Sequence, residues 1–190
     1  MAKAEKKVDK KDGKKEIKVV NIVVSTSLEH DIPLEKMAAT LSNTEYNPEQ
    51  FPGLVIRIKE PKTSALIFSS GKVVCTGART LKEVKDSLQK IIKSLQKISV
   101  KITIEPKINI QNIVASGTVG MDLNLNTLAM KLDNTEYEPE QFPGLVYKLQ
   151  EANATFLLFS NGKVVCTGTK SEKDVHSALD KLIVNLKKVK

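Results

Sequence analysis

The sequence predicts an α+β protein in which one unit is written twice around an antiparallel sheet. Segment 43–95 recurs at 134–186 without a gap, so that NTEYNPEQFPGLV and LIFSSGKVVCTG return as NTEYEPEQFPGLV and LLFSNGKVVCTG. Within each copy, short β-branched runs and glycine turns combine with two segments of helical spacing, in the order strand, helix, three or four strands, helix. Functional residues should therefore occur in symmetric pairs.

The chain has 190 residues, of which 41% are hydrophobic. This is enough for two small half-domains or one larger pseudo-symmetric domain. We divide it into a Lys-rich tail at 1–17, a first repeat at 18–106 and a second repeat at 107–190. Residues 1–18 contain eight lysines and four acidic residues and so carry half of the net charge of +8. With almost no apolar residues, the tail is predicted to be disordered, and it fits either a solvated, non-specific segment or a nucleic-acid-binding arm.

Each copy opens with a strand and a short helix. The strands are predicted from β-branched runs at 19–27 and 107–118. Helical spacing follows, beginning at Asp31 or Pro33 in the first copy. The inward-facing residues are predicted to be Leu34, Met37, Ala38 and Leu41 in the first copy and Leu125, Leu128, Ala129 and Leu132 in the second.

Three further strands are predicted in the first copy, at 53–58, 64–69 and 72–76. The last two form a hairpin whose three-residue turn, Ser69-Ser70-Gly71, has glycine in the left-handed position. Alternation then places Leu66, Phe68, Lys72, Val74 and Thr76 on one face and Ala65, Ile67, Val73 and Cys75 on the other. Both faces are apolar, so the second face is either covered by more protein, as in a dimer, or is an exposed binding surface.

A long amphipathic helix closes each copy, at 80–95 and at 171–186. Apolar residues recur at the helical period on one stripe of each helix. The stripes consist of Leu81, Val84, Leu88, Ile91, Ile92 and Leu95 in the first helix, and Val175, Leu179, Leu182, Ile183 and Leu186 in the second.

Patterns for catalysis or metal binding are lacking. His30 and His176 are not repeated in the other copy, and no Ser/His/Asp set, phosphate loop or HExxH sequence is present. Cys75 and Cys166 occupy equivalent positions and are predicted to be buried strand thiols rather than a disulfide or a zinc site. We therefore expect a non-enzymatic protein with no cofactor or metal. Without a long apolar run or a signal peptide, no membrane contact and a cytoplasmic location are expected.

Three duplicated motifs, QNIVAS, EYEPEQFPGLVY and LLFSNGKVVCTG, resemble the TATA-box-binding protein family in its archaeal form over about residues 18–187. The resemblance implies a pseudo-two-fold saddle, with a curved sheet of ten antiparallel strands over DNA and four helices on the convex back. It also implies a general transcription initiation factor that acts as a monomer on A·T-rich promoter DNA within the nucleoid. This family is itself a standard example of minor-groove binding with kinked base steps.

The resemblance assigns roles to individual residues. Four phenylalanines match the wedges that open base steps, namely Phe51, Phe68, Phe142 and Phe159. Asn21 and Asn112 match amide donors at the central base pairs, flanked by Thr76 and Thr167. Contacts with sugars and base edges are implied for Val23, Leu66, Val74, Val114, Leu157 and Val165, and contacts with phosphates for Arg57, Lys148, Lys72, Lys163, Arg79 and Lys170. On pattern alone, Phe68 and Phe159 fit core aromatics nearly as well, each Asn fits the start of a strand, and each cation fits a solvated charge.

Glu138, Glu140 and Gln141 match the stirrup loop that receives a TFIIB-like initiation factor in this family, and through it RNA polymerase. The first copy nearly duplicates this loop with Asn47, Glu49 and Gln50. The Lys-rich N-terminus and the ending LKKVK depart from the family pattern. An alternative reading is a protein-interaction module that uses its apolar sheet face as a homodimer seam; a base-excision enzyme with a similar half-saddle would need cleavage residues that the sequence lacks.

Overall fold

The computed structural model describes residues 14–189. Within them, the first repeat comprises β1 (Glu16–Ser27), α1 (Leu34–Thr40), β2 (Thr44–Glu45), β3 (Gly53–Ile58), β4 (Thr63–Phe68), β5 (Lys72–Ala78) and α2 (Leu81–Lys97). The second repeat comprises β6 (Asn109–Thr118), α3 (Leu125–Lys131), β7 (Thr135–Glu136), β8 (Leu145–Leu149), a 3-10 turn (Gln150–Ala152), β9 (Ala154–Leu158), β10 (Lys163–Thr169) and α4 (Glu172–Lys188). The predicted order of strand, helix, three or four strands and helix is confirmed in both copies, with four strands in each.

All ten of these strands join one open antiparallel sheet in the order β2-β3-β4-β5-β1-β6-β10-β9-β8-β7. The order reads the same from either end when the repeats are exchanged, and β1 pairs with β6 at the centre. The four α-helices cover one face, as the saddle class requires. None of the helices within residues 14–189 is long and apolar enough to cross a membrane.

The first strand begins three residues earlier than predicted, because it continues along β6. Glu16 and Ile17 pair with Thr118 and Gly117, and the Ile17 side chain is buried. This approach depends on glycine, since a Cβ atom at position 117 would lie 2.0 Å from the carbonyl oxygen of Glu16. Residues 14–17 of the predicted tail thus belong to the described structure, and Lys15 Nζ lies 2.5 Å from Asp180 Oδ1 of α4. The rest of the predicted tail, 1–13, lies outside the described residues. The predicted strand at 107–118 begins instead at Asn109.

The two long helices begin at side-chain caps. Thr80 Oγ1 accepts a hydrogen bond from the N–H of Glu83 at 3.1 Å, and the Glu83 carboxylate accepts one from the N–H of Arg79 at 2.7 Å. The Thr80 hydroxyl thus satisfies a donor that the first helical turn leaves unpaired, and Glu83 binds the backbone of the residue before the cap. The predicted stripe of α2 is buried at Val84, Leu88, Ile91 and Leu95, but Leu81 was wrongly included. It is the first residue of the helix and is 48% exposed.

The predicted hairpin is confirmed in both repeats. Gly71 and Gly162 have φ angles of 79° and 76°, which is the left-handed conformation that glycine adopts without strain. Leu66 pairs with Val74, and Ala65 pairs with Cys75, so the two predicted faces are correct. The face of Ala65, Ile67, Val73 and Cys75 packs beneath the helices.

Candidate nucleic-acid interface

The sheet face opposite the helices is apolar and uncovered within the described residues. Side chains on it are half-buried, whereas their neighbours along each strand are buried on the helix side. The six residues predicted to contact sugars and base edges all lie on this open face: Val23, Leu66, Val74, Val114, Leu157 and Val165. A contiguous apolar face of this kind indicates a surface for a large ligand.

A β-bulge in each central strand directs one polar residue onto the open face. The register between β1 and β6 shifts at Val20 and again at Gln111, which is the equivalent position of the second repeat. Because an extra residue reverses the alternation of side chains, Val19 packs toward the helices and Asn21 faces the open side. Asn112 is placed in the same way. This reversal could not be predicted from the sequence, because Val20 and Gln111 fit the pattern of ordinary strand residues.

The amide of each central asparagine is held in one orientation. The N–H of Gly77 donates to Asn21 Oδ1 at 2.7 Å, and the N–H of Gly168 donates to Asn112 Oδ1 at 2.8 Å. A backbone N–H can only donate, so the amide oxygen must lie there and the NH2 group must lie on the other side. The amide nitrogens lie 3.1 Å and 2.9 Å from the hydroxyls of Thr76 and Thr167. One N–H of each NH2 group is left for a ligand on the open face.

An aromatic pair flanks the open face at each end. The rings of Phe51 and Phe68 meet edge-to-face with centroids 5.9 Å apart, and those of Phe142 and Phe159 with centroids 6.0 Å apart. Phe51 and Phe142 are each 44% exposed, and Phe68 and Phe159 are half-buried. The reading of Phe68 and Phe159 as core aromatics is therefore wrong. The core aromatics of the second repeat are instead Phe156, which is fully buried, and Tyr147.

Glycine permits each aromatic pair to form. A Cβ atom at Gly53 would lie 2.7 Å from Phe51 Cε1 and 3.1 Å from Phe68 Cε1. Gly144 bears the same relation to the second pair, at 2.6 and 3.1 Å. The glycine of each Phe-Pro-Gly sequence thus leaves room for the two rings.

The six predicted phosphate-binding cations are all exposed, but they fall into two groups. Within residues 14–189, no ion pair involves the side chains of Lys72, Lys163, Arg79 or Lys170. Arg57 and Lys148, by contrast, are each bound to a carboxylate on the neighbouring edge strand, Glu45 and Glu136 respectively. The sequence did not indicate these pairs, because β2 and β7 have two residues each and show no strand periodicity.

The surface beside Asn21 and Thr76 in the first repeat is more basic than the equivalent surface of the second repeat. An open cavity of about 1080 Å³ beside Asn21 and Thr76 is lined by Arg57, Lys59, Lys62 and Arg79. The second repeat has Gln150 and Asn153 where the first has Lys59 and Lys62. Sequence reasoning overlooked these two lysines, although a position-by-position comparison of the repeats would have found them.

The two stirrup loops, at 46–52 and 137–143, have the same backbone. In the second, the N–H groups of Gln141 and Phe142 both donate to the carbonyl of Glu138 at 3.0 Å, and Asn47 is the acceptor in the first. Glu138, Glu140 and Gln141 are exposed. Within the described residues, neither acid forms an ion pair.

The cysteines and histidines lie apart from this face. Cys75 and Cys166 are buried free thiols, as predicted, and burial raises the pKa of both to about 11. They are therefore protonated and unreactive at neutral pH. His30 and His176 are exposed. Residues 14–189 contain no group of His, Cys, Asp and Glu arranged to hold a metal ion.

The open ten-stranded sheet, its central amides and its terminal aromatic pairs define the saddle class of nucleic-acid-binding proteins. The chain belongs to the family described as transcription factor TFIID (or TATA-binding protein, TBP), whose sequence model matches residues 16–98 and 107–189. The resemblance stated from the motifs is confirmed.

Similar proteins come from archaea. The TATA-box-binding protein of Methanocaldococcus jannaschii is 50% identical over 174 residues, which cover 92% of this chain and 95% of that protein. The TATA-box-binding protein of Thermococcus kodakarensis is 49% identical over 172 residues, 90% of each chain. The solved structure described as Methanococcus jannaschii TBP superposes with a TM-score of 0.86 at 50% identity, covering 92% of this chain and 99% of that one.

Proposed function

We propose that this protein is a general transcription initiation factor that binds the TATA-box element of promoters through the minor groove and bends the DNA. It then presents the bent DNA to a TFIIB-like factor and, through that factor, to RNA polymerase. The observation that supports this most strongly is the open face itself, which is apolar, carries paired amide donors near its centre and has an exposed aromatic pair at each end.

The chemistry of the open face favours A·T pairs. In the minor groove, A·T and T·A pairs present only acceptors, whereas a G·C pair adds the guanine amino donor. Against Val23, Val74 and their counterparts that donor would be buried without an acceptor, which costs about 1–3 kcal/mol per group. The Asn21 and Asn112 NH2 groups suit the acceptors of A·T pairs. Selection on this face therefore works by excluding guanine rather than by reading each base.

The aromatic pairs support bending. An exposed ring that is fixed by a second ring can enter a base step, and unstacking costs a few kcal/mol that the wider contact with bent DNA offsets. Pyrimidine-purine steps such as TA unstack most readily. A TATA sequence contains such steps.

The first test compares binding of the whole chain to a TATA duplex and to a duplex with central G·C pairs. Fluorescence anisotropy measures both affinities over a range of salt concentrations. We expect selective binding of the TATA duplex by one 21.0 kDa chain. Each phosphate contact contributes about −0.9 to the log–log salt slope, so four to six cations predict a slope of about −4 to −5. A flat salt dependence would count against the phosphate assignments. A stable dimer that ignores the TATA duplex in size-exclusion chromatography would favour the homodimer seam.

The second stirrup is proposed to receive the TFIIB-like factor. Its two unpaired acids, Glu138 and Glu140, form a carboxylate pair where the first loop has Asn47 and Glu49. Glu138→Gln with Glu140→Gln should weaken the ternary complex at least roughly tenfold, the effect of about 1.4 kcal/mol, while binding of the TATA duplex alone changes little. The charge-matched comparison is Glu140→Gln alone against its equivalent in the first loop, Glu49→Gln. Equal losses from both loops in a supershift titration would contradict a preference for the second stirrup.

A further inference from the structure

An acidic residue lies on the DNA-facing side of each edge strand. Glu45 is directly opposite Val55, and Glu136 is directly opposite Val146. Directly opposed residues of antiparallel strands share a face, and Val55 and Val146 belong to the open face. Both carboxylates are well exposed. A surface proposed to bind a polyanion thus carries a negative charge at the same position in both repeats. Neither carboxylate is among the residues proposed above to contact DNA.

Each carboxylate neutralises a cation that is proposed to contact phosphate. Arg57 Nε and Nη2 donate to the two oxygens of Glu45 at 3.2 and 3.1 Å. Lys148 Nζ donates to Glu136 Oε1 at 2.7 Å. The hydrogen bond and charge of each cation hold the pKa of its Glu partner below the usual value, so both carboxylates are ionised at neutral pH.

Such pairs can exchange partners readily. Both members lie in water, where ion pairs are weak and are screened by salt. A phosphate oxygen is an acceptor of the same kind, and DNA binding also releases condensed counterions. Exchange leaves the carboxylate beside the DNA without its cation, and this repulsion opposes the gain.

We propose that Glu45 and Glu136 are exchangeable counter-ions of Arg57 and Lys148, which phosphate displaces when DNA binds. The inference rests on the proposed function. The two acids lower the affinity for the DNA backbone, so that a larger share of binding depends on the apolar face and the aromatic pairs. They also reduce the salt dependence, because a paired cation contributes less to counterion release than a free one.

The two repeats are not equal in this respect. Glu45 holds Arg57 through two parallel hydrogen bonds, whereas Glu136 holds Lys148 through one. Bidentate Arg–carboxylate pairs are the stronger and more rigid of the two types. Removing Glu45 should therefore have the larger effect.

The test measures binding of a TATA duplex by the full chain at several salt concentrations. Glu45→Gln with Glu136→Gln should tighten binding roughly 3- to 10-fold at low salt. The log–log slope should steepen by up to about 1.8, which corresponds to two further phosphate contacts. Glu45→Gln alone should give more than half of the gain.

A matched control separates this effect from a change in net charge. Asp31 and Asp122 are also exposed and equivalent in the two repeats, and within residues 14–189 neither side chain forms an ion pair. Asp31→Asn with Asp122→Asn adds the same charge and should leave the slope unchanged. Equal effects of the two double variants would overturn the proposal, as would weaker binding by the Glu variants, which would mean that the acids position the cations.

A double-mutant cycle tests whether Glu45 acts through Arg57. In an Arg57→Gln background, Glu45→Gln should leave affinity within about twofold; an undiminished gain there would refute exchange. The result is distinguishable from a failure of the proposed function. Failure of the wild-type chain to bind any TATA duplex would reject the function, whereas unchanged slopes in a chain that binds would reject this inference alone.

Discussion

Replacing Phe142 and Phe159 with alanine should remove most of the DNA bend at one end of the site and weaken binding of a TATA duplex by roughly 100-fold. Two wedging rings supply the stacking surface that offsets the cost of opening a base step, which is a few kcal/mol. Without them the step closes and the duplex leaves part of the apolar face. Fluorescence energy transfer between the duplex ends measures the bend.

Two comparisons make this result specific. Phe51→Ala with Phe68→Ala should remove the bend at the other end by a similar amount, because the two ring pairs have nearly the same geometry. Cys166→Ser should leave the bend unchanged, since Cys166 is buried on the helix side of β10. Equal bends in wild type and in both Phe variants would show that these rings do not act as wedges.

The repeated alternation of apolar residues predicted most of the fold. In β4 and β5, for example, the period of two and the glycine at position 71 together determine the register and hence both faces. The two long helices followed from their apolar stripes in the same way, apart from Leu81, which is exposed in the first turn. A stripe predicts which side of a helix is apolar, but not where its support ends.

What the sequence could not predict depends on interruptions of that alternation. The bulges at Val20 and Gln111 reverse the faces of the central strands, and no local residue preference marks them. Without the family resemblance, Asn21 would have remained an ordinary strand residue. The ion pair of Arg57 with Glu45 was also beyond reach, because a strand of two residues has no period and its pairing depends on the rest of the sheet.

The symmetry of the open face contrasts with the asymmetry of its edges. Val23, Leu66, Val74 and Thr76 have identical counterparts in the second repeat. The edges differ, because Lys59 and Lys62 of the first repeat correspond to Gln150 and Asn153 of the second. Phosphate contacts carry no base information. We therefore expect the two halves to bind the DNA backbone with different strengths while they accept the same base pairs.

Replacing the two central asparagines with aspartates should weaken DNA binding as much as removing a pair of phenylalanines. Asn21→Asp with Asn112→Asp preserves the oxygen that accepts the Gly77 and Gly168 N–H groups at 2.7 and 2.8 Å. It replaces each NH2 donor with a carboxylate oxygen. In the minor groove of A·T pairs this oxygen would meet only acceptors. Two donors are lost and two repulsive charges are gained, so binding of a TATA duplex should fall more than roughly 100-fold, or about 3 kcal/mol.

Stability separates this effect from damage to the bulges. Because the aspartate oxygens still accept the two backbone N–H groups, the melting temperature of the Asp variant should stay near that of the wild type. Asn21→Ala with Asn112→Ala removes both hydrogen bonds from the exposed Gly77 and Gly168 N–H groups, and each bond contributes about 0.5–1.5 kcal/mol. It should therefore be the less stable variant but retain more DNA binding than the Asp variant. If the Asp variant binds a TATA duplex as the wild type does, the central amides do not face the base edges, and the DNA must lie on this surface in another register.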